Sequence, residues 1–443
     1  MPTTLYRNGR VHTPASPFAT ALVVEDGTVT WLGDEDGIGP HAGAAVVDLG
    51  GAFVTPAFVD AHVHATATGL GLNGLDLRST SSLSEALDAV ERVARAGRGR
   101  PILGGGWDES RWPERRPPTA AELDRAAYGG AVYLARVDVH SAVVSSAVMA
   151  AVPGLAGLAG YDPAGWQHEP AAHDAVRVAA LDALTAGQRR DAQRAFLAHA
   201  ASLGIGCVHE MAGPIISDEA DLAALLELAR TEPGPEVIGY WGELHGVATA
   251  RELGAVGAAG DLFIDGSLGS HTAALTVPYA DQPDTRGVLR FETAELAAHV
   301  LECLEAGLQA GFHAIGDAAV EQFLDALDLV AERLGRAGGA GGAGHRIEHA
   351  EYVPDPARLA ASGLIASMQP VFDALWGGAD GLYAERLWPR RSLALNRFAD
   401  LAAAGVPLAF GSDAPVTEPG PWAAIRAAAH PHDPSAAISP RSA

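Results

Sequence analysis

The stretch Phe53-Val54-Thr55-Pro56-Ala57-Phe58-Val59-Asp60-Ala61-His62-Val63-His64 is an apolar run that ends in two histidines separated by one residue. Side chains of a β-strand alternate between two faces, so His62 and His64 are predicted to project on the same side at the end of a strand. This arrangement suits two imidazoles on one metal ion, since zinc binds neutral imidazole nitrogen and leaves a position open for water in catalytic sites. A pair with this spacing also arises by chance, so the rest of the chain decides its meaning.

The composition is typical of a large globular enzyme, with 443 residues, 48% of them hydrophobic and 19% charged. This length accommodates one barrel of about 250 residues with smaller additions. The formal net charge of -24 argues against nucleic acid and anionic membrane as partners, because a surface of that sign repels both. The N-terminal sequence does not resemble a signal peptide and no uncharged run reaches membrane-spanning length, so we expect a cytoplasmic protein.

Two features of residue usage exclude whole classes of chemistry. The chain has only two cysteines, Cys207 and Cys303, which excludes a disulfide framework and any Cys-X-X-Cys metal or redox site. All 30 basic residues are arginine, so the chain contains no lysine. A Walker-A phosphate loop and lysine Schiff-base chemistry, including that of pyridoxal phosphate, are therefore excluded.

The pattern of apolar runs changes along the chain. Short apolar runs broken by glycine and aspartate predict a small N-terminal β domain, similar to a β-sandwich, over residues 1–51. From about Ala52, strand-like runs alternate with helical ones, but the alternation is poor at about residues 72–190, which we interpret as an insertion after the first strand. Within it, capping-box sequences that begin at Ser82 and Thr119 predict helix starts.

The alternation returns in seven further strand-like runs, at residues 204–210, 236–241, 261–265, 309–313, 346–349, 364–369 and 406–413. The segments between them have helical periodicity. With the strand before His62 they make eight βα units, which predict an α/β fold, a distorted TIM (β/α)8 barrel over residues 52–430. The chemistry of such a barrel lies at the carboxyl ends of its strands. The glycine-rich tract Gly338 to Gly344 is interpreted as a surface loop.

Side chains that can bind a metal recur at these carboxyl ends, namely His62, His64, His209, Glu210, His313, His349 and Asp413. Each has a purely structural interpretation when taken alone. His313 and His349 fit core histidines, and Asp413 fits a helix-capping or turn aspartate. Chance does not readily place all of them at one rim, so together they predict a shared metal site.

The motifs that contain these residues resemble, in order, those of the amidohydrolase superfamily, in the branch that includes N-substituted formamide deformylases and related hydrolases. They are Phe58-Val59-Asp60-Ala61-His62-Val63-His64, Asp265-Gly266-Ser267-Leu268-Gly269-Ser270, His313-Ala314-Ile315-Gly316-Asp317, Arg346-Ile347-Glu348-His349-Ala350, Ser367-Met368-Gln369-Pro370 and Gly411-Ser412-Asp413-Ala414-Pro415. Within the insertion, Gly105-Gly106-Trp107-Asp108 and Val139-His140-Ser141 are also similar to the family.

The resemblance implies a site that holds one or two divalent metal ions such as Zn²⁺ and acts on a small-molecule substrate. It implies that the metal ligands include His62, His64, His313, His349 and Asp413. Asp413 would also transfer the proton during catalysis. The resemblance further implies substrate contacts from Trp107, His140, His271 and Gln369, although Trp107 equally fits a core residue and His271 a loop residue.

The chain departs from the family pattern on the fourth strand. Many relatives carry there a carboxylated lysine that bridges two metals, and Asp261 occupies this position. Since Asp261 begins the predicted strand, we expect it to lie away from the rim and to make a structural contact. Glu210 is the candidate bridging ligand instead, and a single-metal site with Glu210 outside it is the alternative. His209 and Glu210 point to opposite faces of a regular strand, so we expect only one of them to be a ligand.

The second departure is at the end of the chain. Relatives continue well past the aspartate of the eighth strand, whereas only residues 416–443 follow the last motif here. Residues 431–443, which contain Pro431, Pro434 and Pro440, are expected to form an irregular tail. We therefore expect either a truncated form or an unusually small β domain.

The combined expectation is a metal-dependent hydrolase of a non-peptide C–N bond, in an amide, an N-substituted formamide or a related small molecule. One alternative is a hydrolase of another ester or ring bond that uses the same metal site. Another is a C-terminally truncated remnant without catalytic activity. The sequence does not determine the oligomeric state, and a homodimer is one possibility.

Overall fold

The computed structural model describes residues 3–13, 16, 18–41, 43–97, 99–137, 141–168, 170–335 and 344–443. The chain divides into two compact units, Met1–Phe58 and Val59–Ala443. In the described ranges, no helix combines the length and the apolar character needed to cross a membrane. Most of the glycine-rich tract that we interpret as a loop lies outside the described residues.

The N-terminal unit is built from short strands, as the sequence predicts. They are β1 (Thr4–Arg7), β2 (Arg10–Val11), β3 (Ala21–Glu25), β4 (Thr28–Gly33), β5 (Ala45–Asp48) and β6 (Phe53–Val54). Four of them form a sheet in the order β4-β3-β1-β5, and β2 pairs with β6. Asp26 and Gly27 both have positive φ angles, 48° and 78°, which is the geometry of a two-residue hairpin turn between β3 and β4. Leu5, Ala21 and Val23 form the core of this unit.

The first barrel strand, β7 (Phe58–Val63), is followed by a layer of mixed structure up to residue 202. Its strands, β8 (Leu75–Asp76), β9 (Ile102–Trp107), β10 (Val132–Arg136), β11 (Ala142–Val144) and β12 (Trp166–Gln167), form a sheet in the order β12-β11-β10-β9-β8. Its helices are α1 (Ala65–Asn73), α2 (Leu83–Gly97), α3 (Ala120–Ala126), α4 (Ser146–Ala150), α5 (Pro170–Asp182) and α6 (Ala186–Ser202). Both predicted helix starts are confirmed, and at α3 Thr119 and Glu122 form a reciprocal capping box.

The remaining chain completes an eight-stranded parallel sheet with β7. The added strands are β13 (Ile205–Ala212), β14 (Glu236–Trp241), β15 (Gly257–Ala258), β16 (Gln309–Ala314), β17 (Arg346–His349), β18 (Ile365–Met368) and β19 (Leu408–Phe410), in the order β19-β18-β17-β16-β15-β14-β13-β7. The two ends of the sheet meet, because Asp413 N donates to His62 O at 2.8 Å and His64 N donates to Ala414 O at 2.9 Å. The predicted (β/α)8 barrel is confirmed.

Helices surround this sheet and supply most of its packing. They are α7 (Glu219–Thr231), α8 (Val247–Leu253), α9 (Thr293–Ala306), α10 (Asp317–Arg333), α11 (Pro356–Ser362), α12 (Pro370–Trp376), α13 (Leu382–Leu387), α14 (Pro389–Ser392), α15 (Phe398–Ala404) and α16 (Pro421–Ala429). On α10, Val320, Phe323 and Leu327 are fully or almost fully buried, as their helical spacing predicts. Phe312 of β16 packs edge to face on Phe323, with ring centroids 4.8 Å apart.

The fourth barrel strand is not where the sequence places it. Residues 261–265 contribute only an isolated bridge between Phe263 and His313, and the strand itself is β15, two small residues long. Close packing explains why β15 consists of small residues, because a Cβ on Gly257 would lie 2.7 Å from Gln309 O and 3.0 Å from Tyr240 Cδ1. Asp261 therefore follows the strand and lies beyond its carboxyl end. The expectation that Asp261 starts the strand is wrong.

Near the end of the chain, Pro421 begins α16, a position where its missing N–H and fixed φ are tolerated. After it, residues 431–443 contain a single 3₁₀ turn, Pro434–Ala436.

Candidate metal centre

Six side chains from distant parts of the chain gather at the carboxyl end of the barrel. Each follows or ends a barrel strand, and none exposes more than 8% of its surface; they are His62, His64, Asp261, His313, His349 and Asp413. Two overlapping sets of potential ligand atoms lie within 4.8 Å of one another, His62 with His64 and Asp413, and His62 with Asp261 and His349. The strands thus bring together all four histidines that the sequence predicts as ligands.

Asp261 lies at the centre of this group. Its Oδ1 atom is 3.5 Å from His62 Nε2, 3.6 Å from His313 Nδ1 and 3.6 Å from His349 Nε2. Its Oδ2 atom is 3.2 Å from His64 Nε2. A single carboxylate therefore faces all four imidazoles, which is the position of a bridging ligand.

Asp413 completes the group from the other end of the chain. Its Oδ1 atom is 3.1 Å from His64 Nε2 and 3.5 Å from His62 Nε2. Its backbone has a φ of 55°, which a non-glycine residue adopts only when the surrounding structure holds it there. Here the hydrogen bond from Asp413 N to His62 O holds it.

Each histidine is oriented by an acceptor on its outer side. His62 Nδ1 lies 2.9 Å from Glu348 Oε2, and His64 Nδ1 lies 3.1 Å from Met211 O. His313 Nε2 lies 3.2 Å from Gly266 O, and His349 Nδ1 lies 2.8 Å from Gln369 Oε1. These acceptors take the N–H of one ring nitrogen, so the other ring nitrogen of each histidine faces Asp261, and those of His62 and His64 also face Asp413.

Several polar atoms at the centre are buried with no hydrogen-bond partner, namely His62 Nε2, Asp261 Oδ1 and His313 Nδ1. An unpaired buried polar atom costs about 1–3 kcal/mol, so three in contact require an explanation. A divalent cation supplies one, because it pairs with carboxylate oxygen and imidazole nitrogen at once. This set of nitrogen and oxygen donors suits zinc-like ions, and the residues therefore fit a metal.

The charges of the two carboxylates dominate the titration of the centre. Burial lowers the pKa of His64, but the hydrogen bonds and charges of Asp261 and Asp413 raise it to about 10. Burial and the charge of His349 lower the pKa of His313 to about 4. Burial acts to raise the pKa of Asp261, but the charge of His62 and contacts with the other imidazoles hold it well below its ordinary value. Both carboxylates thus remain charged at neutral pH and attract positive charge.

A buried ion pair supports the centre from inside the barrel. Arg346 Nε and Nη2 donate to the two oxygens of Glu348 at 2.7 and 3.0 Å. Burial acts to raise the pKa of Glu348, but Arg346 and His62 hold it far below its ordinary value. A permanently charged carboxylate therefore orients His62, in the arrangement known from carboxylate–histidine–zinc triads. Glu348 directly precedes a predicted ligand, but its role depends on a contact with β7 that the sequence does not show.

A model of the amidohydrolase family matches residues 45–432 of the chain. This chain belongs to the amidohydrolase family. The putative amidohydrolase YtcJ of Bacillus subtilis is 27% identical, over 92% of this chain and 79% of that protein. Protein LONG AFTER FAR-RED 3 of Arabidopsis thaliana is 30% identical, over 96% of this chain and 77% of that protein. The N-substituted formamide deformylase of Arthrobacter pascens is 29% identical over a smaller part, 34% of this chain and 28% of that enzyme.

Solved structures agree with this assignment. An uncharacterized metal-dependent hydrolase from Pyrococcus furiosus superposes with a TM-score of 0.80 and 30% identity, over 99% of this chain and 91% of that chain. A second uncharacterized metal-dependent hydrolase, from Pyrococcus horikoshii, superposes with a TM-score of 0.79 and 29% identity, over 96% of this chain and 86% of that chain. The predicted family and barrel are therefore confirmed.

The bridging position in this amidohydrolase differs from our sequence-based candidate. Glu210 is 2% exposed, and its Oε2 atom accepts a hydrogen bond from Ala65 N at 2.7 Å. Burial raises its pKa to about 7. Glu210 belongs to neither set of clustered ligand atoms in the described ranges, whereas Asp261 faces all four histidines. The geometry thus corrects both assignments: it places Asp261 at the rim and Glu210 at the start of α1.

His209 also lies outside the centre. It accepts a hydrogen bond at Nδ1 from Arg346 Nη1 at 2.7 Å, inside the barrel. Burial and the charge of Arg346 lower its pKa to about 4, so the ring is neutral at physiological pH.

The structure describes three of the four residues predicted as substrate contacts. Trp107 is completely buried in the core of the insertion, where its Nε1 donates to Leu134 O at 2.8 Å, so the structure contradicts a substrate contact. His271 lies in the loop after β15, and its Nε2 pairs with Asp281 at 3.0 Å. His140 lies outside the described residues. Gln369 lies at the centre and orients His349.

Proposed function

We propose that this chain is a metal-dependent hydrolase that uses activated water to cleave a non-peptide C–N bond, in an amide or an N-substituted formamide. The observation that carries the proposal is the set of four histidines, each paired on its outer ring nitrogen and turned with its inner nitrogen towards Asp261. Imidazole nitrogens and charged carboxylates are the ligands of catalytic zinc-type ions, which supply hydroxide for hydrolysis at neutral pH.

In this proposal the barrel rim would bind two cations. His62, His64 and Asp413 would hold the first, His313 and His349 the second, and Asp261 would be a ligand of both. A divalent cation held by these residues would supply a water with a pKa of about 7 and would polarise the substrate carbonyl. Zn²⁺ is the ion that we expect from the donor set.

Asp413 is the residue that we assign to proton transfer. Burial acts to raise its pKa, but the charge of His62 and the hydrogen bond from His64 hold it below its ordinary value, so it is a carboxylate at neutral pH. Its Oδ1 atom lies between the two imidazoles of β7 and takes the proton of the attacking water. The same oxygen then returns this proton to the leaving nitrogen.

The substrate class rests on weaker support. The partial similarity to an N-substituted formamide deformylase favours a formamide or another small amide. An ester or a strained ring could use the same machinery, because the barrel alone does not fix the substrate. A remnant without activity is not favoured, since all six side chains of the centre are present and converge.

The test is metal analysis combined with a substrate screen. The purified chain should contain about one or two zinc-like ions, hydrolyse a member of a panel of amides, formamides, cyclic imides and esters, and lose activity when the ions are removed. Restored activity on adding Zn²⁺ to the chelated protein would support the proposal. Activity that survives complete metal removal would contradict it.

The variant His62→Ala provides the structural check, because His62 lies in both sets of clustered ligand atoms. We expect it to lose bound metal and activity while the circular dichroism spectrum stays that of an α/β protein. Normal metal content in this variant would contradict the assignment.

A further inference from the structure

Beside the metal centre lies a second group of buried polar atoms that lack a well-formed hydrogen bond. They belong to four residues, each no more than 4% exposed, which we call the Glu351 cluster: Glu351 (Oε2), Gln369 (Nε2), Tyr383 (hydroxyl) and Asn396 (both side-chain amide atoms). Native proteins leave few such atoms unpaired, so a local concentration of five indicates groups that await a ligand or ordered water.

The cluster is continuous with the metal centre. Glu351 follows His349 by two residues, across a turn in which His349 and Ala350 have φ angles of 68° and 46°. Gln369 uses its Oε1 atom to orient His349, at 2.8 Å, and keeps its amide N–H groups for another acceptor. The charges of His349 and Asp413 both act on the Glu351 carboxylate.

The members of the cluster are also held near one another. Asn396 N donates to Glu351 O at 2.8 Å, and the Tyr383 hydroxyl makes a weak hydrogen-bonding contact with the Glu351 carboxylate. The Tyr383 ring belongs to an apolar group with Leu268 and Leu395, and it meets Trp376 edge to face at 6.2 Å. At Tyr383 the cluster therefore borders apolar side chains, and a combination of polar atoms and apolar surface is usual in small-molecule sites.

We propose that the Glu351 cluster is the substrate subsite beside the metal centre and that it binds a neutral carboxamide or ureido group on the non-reacting end of the substrate. This inference rests on the proposed function and specifies its substrate. Tyr383, Gln369 and Asn396 offer O–H and N–H donors that match a carbonyl oxygen. Glu351 and Asn396 offer acceptors that match N–H groups. A hydrocarbon in the same place would leave all of these atoms unpaired, which a site of this kind disfavours strongly.

The test uses two formamides that share the reacting group and differ only in their tail. One is 3-formamidopropanamide, and the other is N-(3-methylbutyl)formamide, in which an isopropyl group of similar shape replaces the carboxamide. We expect the metal-loaded wild type to hydrolyse the carboxamide with a kcat/KM at least about tenfold higher, roughly what one additional paired polar group contributes. In Tyr383→Phe and in Glu351→Gln, kcat/KM for the carboxamide should fall by about tenfold and that for the hydrocarbon by less than about twofold.

Tyr279→Phe is the matched control, because Tyr279 belongs to the same apolar group but its hydroxyl already donates to Ala273 O at 2.8 Å. Without ligand, Tyr383→Phe should change the melting temperature only slightly, since the hydroxyl makes no more than a weak contact with Glu351. Tyr279→Phe should lower the melting temperature and should not change the preference between the two formamides. A preference for the hydrocarbon in the wild type, or an equal loss on both substrates in Tyr383→Phe, would overturn the inference.

Ligand binding separates this inference from the proposed function. If neither formamide is hydrolysed, the proposed activity on formamides fails, and thermal shift measurements with the same two compounds still decide the subsite. A shift with the carboxamide that disappears in Tyr383→Phe would support it. Equal shifts, or none with the carboxamide, would overturn it.

Discussion

Asp261 reaches the metal centre with a side chain much shorter than the carboxylated lysine of many relatives. The backbone compensates for the shorter side chain by carrying Asp261 closer to the centre, because β15 ends at Ala258 and the chain then turns at Gly260, whose φ is 102°. A Cβ at Gly260 would lie 2.8 Å from Met211 Sδ, so the turn also depends on glycine for space. A short carboxylate can therefore occupy the middle of four imidazoles in a chain that contains no lysine.

The variant Asp261→Asn tests this position. It keeps the shape of the side chain but removes the charge that faces His62 and His313. We expect the metal content to fall from about two ions to one or none, and activity to be lost, because a neutral amide is a poor bridging ligand. Elemental analysis of the purified protein gives the ratio directly.

Glu210→Gln is its matched control, since it makes the same chemical change at the carboxylate that pairs with Ala65 N. Its metal content should equal that of the wild type. A normal ratio in Asp261→Asn together with a reduced ratio in Glu210→Gln would restore the original sequence-based assignment.

Closure of the barrel depends on contacts between its first and last elements. Asp60 of β7 accepts hydrogen bonds from Ser412 N at 2.8 Å and from the Ser412 hydroxyl at 2.7 Å, and all of these groups are buried. These bonds fix the turn that places Asp413 against His62 and His64. Asp60 is therefore a positioning residue that links strand pairing to the metal centre.

Asp60→Ala should lower the free energy of unfolding by about 2–4 kcal/mol, because it leaves two buried donors of Ser412 unpaired. Zinc affinity should fall as well, since Asp413 loses its support. Urea denaturation and a zinc competition assay measure the two effects. In a double-mutant cycle with Ser412→Ala, the two changes in the free energy of unfolding should be clearly non-additive. Additive changes would show that the contact between Asp60 and Ser412 does not stabilise the fold.

The elements that the sequence predicts correctly are those with a strong period. The spacing of Val320, Phe323 and Leu327 identifies α10, and the apolar run before His62 identifies β7. The insertion gave no such signal, because β8 and β12 are two residues long and β11 is three. The fourth barrel strand was misplaced for the same reason, because β15 is only two residues long. This misplacement led directly to the wrong expectation for Asp261. The histidine ligands were predictable from motifs, but their outer partners depend on contacts across the barrel, as with Glu348 and His62.

For the whole molecule, a cation at the candidate metal centre would link residues 62 and 413, so we expect cation binding to stabilise the barrel as a unit. Protons compete for the same nitrogen atoms. In the metal-free protein the pKa of His64 is raised to about 10, above its ordinary value of 6.5, because Asp261 and Asp413 overcome the effect of burial. The stability that this histidine contributes is therefore fully present below pH 6.5 and is lost as the pH rises towards 10.

The metal-free and zinc-loaded proteins should consequently respond to pH in opposite ways. Between pH 6.5 and 8.5 the zinc affinity should rise by up to about tenfold per pH unit for each proton that the metal displaces. The difference in melting temperature between the two forms should widen over the same range, because the loaded site requires neutral imidazoles. Thermal denaturation with and without chelator, at constant ionic strength, measures this difference. In His64→Ala, the pH-dependent stability that protonated His64 gives the metal-free protein should disappear. If the difference in melting temperature between the zinc-loaded and metal-free wild type narrows as the pH rises, protons and metal do not compete at this centre.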